Sequence, residues 1–557
     1  LKKNVTNQKI IRKYMQIIVI CLIALVFVSC NKSNNSSSQG SDNFWGLGNS
    51  DKNSVNNSYK DKVSEATKDS YTYYTSEEFQ SFILEKLNGK LTSIYDNNYQ
   101  QLAYEQVQLL KEQNSYSLEN PLFIMNPFGT NTSGMYVYFG NSDKKVNVNY
   151  TISIDDKTIA DFTESMYFNY ENKIVEGQLI GLLQGHKNKV VLELEDNSGN
   201  LISKKAYYFD IADLDSIKEP SLKVEFGNDV ALTRGLYTFH AKDSTASHFL
   251  FYDNFGTIRA EIPTELLNVN SKVLQLGHKV FYPVRNDLFV LANNLGYIEK
   301  YYSWENQSPF IDYDCDKEKN KILFIVDSQI NDGNAILGLD LGSGEYKEYI
   351  DVEKLLNMSM RIDGIQVVDG KDIIVNSKEN SSIIRINNIY TSPVIRWIIA
   401  DESFWNGSNY EAMLLYKKGN FETQAEQQSI IYSNSRRLSS GQFYLSILHT
   451  GKGISSLEGI LDVNEGEVNN IEESSYYYQY LVDETQNRYE LLKKIELPYI
   501  LDSCTAMPYG NNVVISIGAN KEFREYNAKG EIMSKYFIND TNSSYQIFKY
   551  TMDRYWF

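Results

Sequence analysis

The spacing of apolar residues changes character three times along the chain. An apolar run from Ile17 to Val28 follows Lys2, Lys3, Arg12 and Lys13 and stops at Ser29-Cys30. That is the three-zone layout of a secretory signal, and about a dozen residues are too few to cross roughly 30 Å of hydrocarbon comfortably. From Asn31 to about residue 70, Ser, Asn, Asp, Gly and Lys dominate. Such a stretch buries too little apolar surface to offset the entropy of ordering it, so a flexible tether is expected. Thr75-Ser76-Glu77-Glu78 then has the form of a capping box, and Phe79, Phe82, Ile83 and Leu87 follow at helical spacings of three and four. One or two helices are expected over residues 75–113, with the apolar face packed on the protein itself.

From Met125 the period shortens to two. Met135-Tyr-Val-Tyr-Phe139, Val146-Asn-Val-Asn-Tyr150 and Val190-Val-Leu-Glu-Leu194 read as strands of a small sandwich ending near Ala212. Beyond it a unit recurs: an apolar strand, a polar turn with glycine, then a second strand. It is seen at Phe249–Ile258, Leu288–Ile298, Ile336–Gly344, Ile373–Ile386 and Val513–Ile532. A spacing of roughly 40 to 50 residues suits the four-stranded blade of a β-propeller, and about six blades fit between residues 220 and 557. An irregular multi-sheet domain is the competing reading. The chain is therefore expected to be mostly β: a signal (1–29), a tether (30–70), a short helical segment (71–119), an N-terminal β-sandwich (120–215) and a propeller of about six blades (216–557).

Composition narrows the partners. The 42 tyrosines and 26 phenylalanines favour strands over a helical bundle. A formal charge of −17, with no Lys/Arg cluster after residue 30, argues against nucleic acid. Of four cysteines, Cys21 leaves with the signal and Cys30 has a separate role, so only Cys315 and Cys504 remain. They form no zinc or disulfide framework; one bridge and two separate thiols both stay open. His186, His240, His248, His278 and His449 have no metal-ligand spacing, and neither metal nor cofactor is expected.

Phe27-Val28-Ser29-Cys30 resembles the bacterial lipobox, with Phe27 where Leu is usual. The resemblance implies cleavage before Cys30, lipid on its sulfur and membrane attachment through that lipid. Asn31 stands where inner-membrane lipoproteins of enteric bacteria carry Asp, which points to an outer-membrane, periplasmic or surface location.

Other segments resemble the bacterial aryl-sulfate sulfotransferases. They are Asn126-Pro-Phe-Gly129 with Tyr136-Val-Tyr-Phe139, Ile180-Gly-Leu182, Asn188-Lys-Val-Val191, Asp372–Lys378, Ser382–Ile386, Ile395-Arg-Trp-Ile398 and Met507–Val514. The resemblance covers roughly residues 120–557 and implies a sandwich followed by a six-bladed propeller. It also implies sulfuryl transfer from a phenolic ester to a phenol through a sulfated histidine, supported by His and Arg groups. The matched positions differ here. Arg361-Ile-Asp363 stands where the family has a His before Asn, and Ser377-Lys-Glu-Asn380 where it has Ser-Arg-His-Gln. Phe310-Ile-Asp312 stands near a His-His-Asp, and Ala425-Glu-Gln427 near the nucleophile. A glutamine amide nitrogen, delocalised into its carbonyl, cannot act as that nucleophile. Arg361 and Lys378 remain as cations suited to an aryl sulfate or another small anion, or equally as surface ion-pair partners. Two readings follow: a sulfotransferase-family enzyme, or a non-catalytic propeller lipoprotein that binds an anionic ligand or a protein.

Overall fold

The computed structural model describes residues 63–557 except 141–145, 169–172, 213–220, 228–231, 243–246, 266, 268–270, 306, 329–332, 451–473, 501–503, 519–520 and 540–545. The signal, Cys30 and most of the expected tether lie outside the described residues. Among those described, no helix is long and apolar enough to cross a membrane.

Two helices occupy the expected segment, α1 (Ser76–Lys86) and α2 (Asn97–Gln113). Both halves of the capping box form at the start of α1. The Thr75 hydroxyl accepts the Glu78 N–H at 3.1 Å, and the Glu78 carboxylate accepts the Thr75 N–H at 2.8 Å. Two otherwise orphaned donors are thus satisfied. Phe79 and Ile83 of α1, with Tyr99, Ala103, Val107 and Leu110 of α2, enter the largest hydrophobic cluster, which they share with the sandwich.

The sandwich pairs a five-stranded sheet, in the order Ser64–Glu65, Leu201–Asp210, Lys187–Asp196, Val146–Ser153, Phe162–Ser165, with a four-stranded one, Thr72–Tyr74, Leu122–Met125, Met135–Gly140, Ile174–Leu179. Val146, Val148, Tyr150 and Ile152 are buried while Asn147 is exposed, which is the alternation a half-buried strand requires. The strands Ser64–Glu65 and Thr72–Tyr74 come from upstream of residue 120 and add to the two sheets in parallel. Strands of two or three residues leave too short a period to be legible in the sequence.

Six further sheets form the propeller blades. Their innermost strands are Phe548–Tyr550 (blade 1), Leu274–Leu276 (blade 2), Phe310–Asp316 (blade 3), Gly364–Val368 (blade 4), Gln428–Ser433 (blade 5) and Ala506–Tyr509 (blade 6). Both ends of the domain interlock. Phe548–Tyr550 pairs with Leu236–Lys242 to complete blade 1, and Ser221–Phe226 pairs with Ile532–Asn539 to complete blade 6. Second strands such as Asp372–Ser377 and Asn512–Ile517 are buried at every position, because blades cover both of their faces. They therefore read as continuous apolar runs.

The recurring polar turn has one physical cause. In Asp253-Asn-Phe-Gly-Thr257, the Asp253 Oδ1 accepts the N–H of Phe255 at 2.8 Å and of Thr257 at 3.0 Å. Asn293 does the same for Leu295 and Tyr297, and Asn527 for Lys529 and Glu531. The glycine between them takes positive φ each time, +78° at Gly256, +89° at Gly296 and +85° at Gly530, where a Cβ would be strained.

Candidate functional site: the axial cavity

The inner strands enclose a cavity of about 90 Å³ on the propeller axis. Every blade contributes to its lining, through its inner strand or the chain just before it, and the polar lining includes Lys272, Asp312, Asp363, Gln366, Thr505 and Gln546. Ile311, Ile430 and Phe548 supply apolar wall.

Alternation along blade 3's inner strand sets the carboxylates. Asp312 and Asp314, two residues apart, share a face. Asp312 Oδ2 accepts the N–H of Ile365 at 3.0 Å, and Asp314 Oδ2 that of Val367 at 2.8 Å, so two side chains stitch blade 3 to the inner strand of blade 4. The other oxygen of Asp312 lies 2.7 Å from Lys272 Nζ. Lys272 is held further by a reciprocal tie in which its backbone N–H donates to the Tyr313 hydroxyl and its carbonyl accepts from it. Burial raises the Asp314 carboxyl above the usual range.

Asp363 opens onto the cavity. Its Oδ1 accepts from Asn376 Nδ2 at 2.6 Å and its Oδ2 from the Lys378 N–H at 3.1 Å. Asp363 remains open to solvent; the chain packed around it raises its carboxyl above the usual range by partial desolvation, with Asp312 adding to the rise and Asn376 and Lys378 opposing it.

None of the three positions matched by resemblance lines the cavity, but two of them touch Asp363 or its partner Asn376. Gln427 is fully buried, and its Nε2 donates to Asn376 Oδ1 (2.9 Å), the Ser377 carbonyl (3.2 Å) and the Ser382 carbonyl (3.1 Å). Asn376 thus connects Gln427 to Asp363, whose other oxygen takes the Lys378 N–H. Arg361 stands apart: its side chain is 59 % exposed and lies 3.3 Å from the carboxylate of Asp327. Phe310 is buried with Phe289 and Trp304, whereas Ile311 and Asp312 reach the cavity.

One histidine approaches the matched segment in space although not in sequence. His449 is 1 % exposed, stacks on Tyr478 at 5.2 Å, and its Nδ1 accepts the Ala425 N–H at 2.8 Å. A neutral ring so engaged carries its proton on Nε2, and the nitrogen lone pair is already committed to the backbone. Elsewhere, His248 pairs with Glu261 at 3.1 Å where blade 1 meets the sandwich, and Thr132 of the sandwich donates to the same carboxylate at 2.6 Å. Burial pulls His240, diagonally across on the neighbouring strand, down to about 3. Among the described residues no group of three His, Cys, Asp or Glu is set to hold a metal ion. Cys315 and Cys504 form no bridge, and burial pushes the Cys315 thiol up to about 12.

Sequence reasoning did not single out Lys272, Gln366, Thr505 or Gln546. The signal available was position: each lies in, or within a few residues of, the first strand of a blade.

A β-sandwich leading into six blades around a lined axial cavity defines a propeller protein whose chemistry, if the fold's geometry is used, lies on the axis. The chain belongs to the arylsulfotransferase family. The arylsulfotransferase (ASST) family matches residues 360–552, and its Ig-like domain matches residues 122–211. This membership supports a sulfotransferase-like function. No curated protein matches the chain. Similar solved structures include a protein assigned as a 6-phosphogluconolactonase from Bacteroides fragilis, 10% identical over 72% of this chain and 98% of that one, with a TM-score of 0.30. A second protein so assigned, from Bacteroides uniformis, is 11% identical over 72% and 99%, with a TM-score of 0.34. The WD40 domain of Toxoplasma gondii coronin is 8% identical over 57% and 76%, with a TM-score of 0.31.

Proposed function

We propose that this chain is a cell-envelope lipoprotein, anchored through Cys30, whose axial cavity binds a small ligand without the covalent sulfuryl transfer of its family. The observation that carries this reading is Gln427. At the position that the resemblance matches to the nucleophile stands a buried amide whose two N–H bonds are taken up among Asn376 Oδ1 and the Ser377 and Ser382 carbonyls, behind the cavity lining. His449 does not substitute for it, because Nδ1 already accepts the Ala425 N–H. Without a nucleophile, a bound sulfuryl group stays on its ester oxygen.

The purified protein is therefore expected to release no nitrophenol from 4-nitrophenyl sulfate in a phenol-dependent manner. Loss of a single oxyanion donor typically costs about 10²- to 10³-fold, so weak background turnover leaves the reading intact, whereas robust acceptor-dependent release overturns it. The anchor has its own check. Metabolic labelling with a fatty acid should mark the wild type and not Cys30→Ala, and equal labelling of both would rule out Cys30 as the attachment point.

A further inference from the structure

We propose that Lys549 and Asn254 join in an intramolecular amide bond, Nζ to Cγ, which forms without a partner enzyme once the propeller ring has closed and locks its seam covalently. Neither residue lines the axial cavity, so the inference stands apart from what that cavity binds.

The strand that closes the ring is short. Phe548–Tyr550 completes blade 1 through three residue pairs, Leu236 with Tyr550, Tyr237 with Lys549 and Thr238 with Phe548. Cys315 and Cys504 are free, so among the described residues no disulfide braces this closure. What the seam does contain is an amine, a carboxamide and a carboxylate in mutual contact.

Lys549 Nζ lies 2.9 Å from Asn254 Oδ1 and 2.8 Å from Glu525 Oε2. With a C=O bond of about 1.2 Å, the first distance sets the amine roughly 3–4 Å from Cγ, close to the range from which attack begins. Lys549 and Glu525 are fully buried and Asn254 is half-buried. The rings of Tyr237 and Tyr509 flank Nζ at 4.2 Å and 5.6 Å. The Tyr237 hydroxyl lies 3.1 Å from Nζ and donates to Glu525. Thr233 spans the far side. Its hydroxyl donates to Glu525 Oε1 at 3.2 Å, and its carbonyl accepts from Asn254 Nδ2 at 3.2 Å. The carboxylate and the nitrogen that must leave are therefore neighbours of one residue.

Each group has a part in the exchange. Burial pulls the Lys549 amine down to about 8, against the opposing charge of Glu525, so a share of it is neutral and nucleophilic near neutral pH. Glu525 takes a proton from Nζ as the nitrogen lone pair attacks Cγ. The Nζ–Cγ bond forms, the Cγ–Nδ2 bond breaks, and the proton passes to Nδ2, which departs as ammonia. One amide replaces another, so no oxidant, nucleotide or activated ester is consumed, and loss of ammonia to solvent carries the exchange forward. Fixed contact supplies an effective concentration of about 10⁵ M or more, which offsets the low reactivity of a carboxamide. The bond would close a loop between residues 295 apart, joining the inner strand of blade 1 to its outer hairpin turn. A purely structural cluster shows the same contacts and no bond, which is the distinction the experiment reads.

The test is mass-spectrometric peptide mapping of the full chain after trypsin. Trypsin does not cut after an acylated lysine, so the bond yields a branched species, Asp243–Arg259 joined to Tyr536–Arg554, about 17 Da lighter than the two peptides together. Nearly all wild-type molecules are expected to give it. Lys549→Arg keeps a cation beside Glu525 but stays protonated, and Glu525→Gln removes the proton acceptor. Each variant, its fold checked by circular dichroism, is expected to lose the branched species. Should the variants fail to fold, the wild-type map decides alone. Separate Asp243–Arg259 and Tyr536–Lys549 peptides from folded wild type overturn the proposal. So does a branch from Lys549 to Asn512, the other amide at the seam, whose Nδ2 donates to Glu525 at 2.6 Å. A branch formed equally well in Glu525→Gln overturns the role given to that carboxylate.

Discussion

Replacing Lys549 by Met is expected to destabilise the propeller by about 3–5 kcal/mol, seen as a lower urea midpoint, because it strands a carboxylate at the seam of the ring. Lys549 lies on the blade 1 strand supplied by the end of the domain, and its Nζ is 2.8 Å from Glu525 Oε2 in blade 6, with both side chains fully buried. Every group around the pair is engaged. Lys549 also donates to Tyr237 Oη (3.1 Å) and Asn254 Oδ1 (2.9 Å), and Glu525 accepts from Asn512 Nδ2 (2.6 Å) and from the Tyr237 hydroxyl. Removing the cation alone leaves Glu525 buried without its counter-charge, held only by neutral donors. Removing both charges in Lys549→Met with Glu525→Gln should recover part of the loss, since the residual amide costs far less to bury than an ion. A double variant no more stable than the single one would show that the two side chains do not act as a pair.

Arg385→Ala should cost a similar amount, about 3–5 kcal/mol, where blade 4 meets blade 5. Arg385 Nη2 is 2.9 Å from Asp372 and Nη1 is 2.8 Å from Glu484, which also accepts the Trp397 indole N–H at 2.5 Å. The Arg385 side chain is 7% exposed and that of Asp372 3%, so solvent cannot replace the lost partner. Arg361→Ala is the natural control. It removes an exposed pair with Asp327, worth about 0–1 kcal/mol and weakened further by salt. Equal effects of the two substitutions on the urea midpoint would refute the distinction between buried and exposed pairing.

The fold was legible because its period is written locally. Each Asx-x-x-Gly turn draws on one side chain and one glycine within five residues, so Asp253, Asn293 and Asn527 announce their hairpins without help from the rest of the chain. The capping box at Thr75 and Glu78 is equally local. The cavity is not. Asp363, Asp312 and Lys272 belong to different blades, or to the chain entering them, and become neighbours only when the ring closes. Resemblance named segments of the chain and could not say which way their side chains point. Arg361 turns out to the surface and Asp363, two residues on, borders the cavity; both lie in the irregular chain just before the strand Gly364–Val368, where no period-2 alternation sets side-chain direction. Nor could sequence distance show that His449 lies against Ala425 across the blade.

The interlocked ends also fix the order in which the molecule can be finished. Ser221 and Asn539, joined in the outer pair of blade 6, are 318 residues apart, so the strand Ser221–Phe226 waits without its partner while the rest of the ring is synthesised. At about 5–20 residues per second the wait lasts tens of seconds. Blade 1 waits as long for Phe548–Tyr550. Throughout that interval the newborn domain has an open seam and cannot lock, which keeps it threadable. Ring closure is therefore the last event of folding, one that no part of the domain can anticipate, because both seams need strands from opposite ends of the domain.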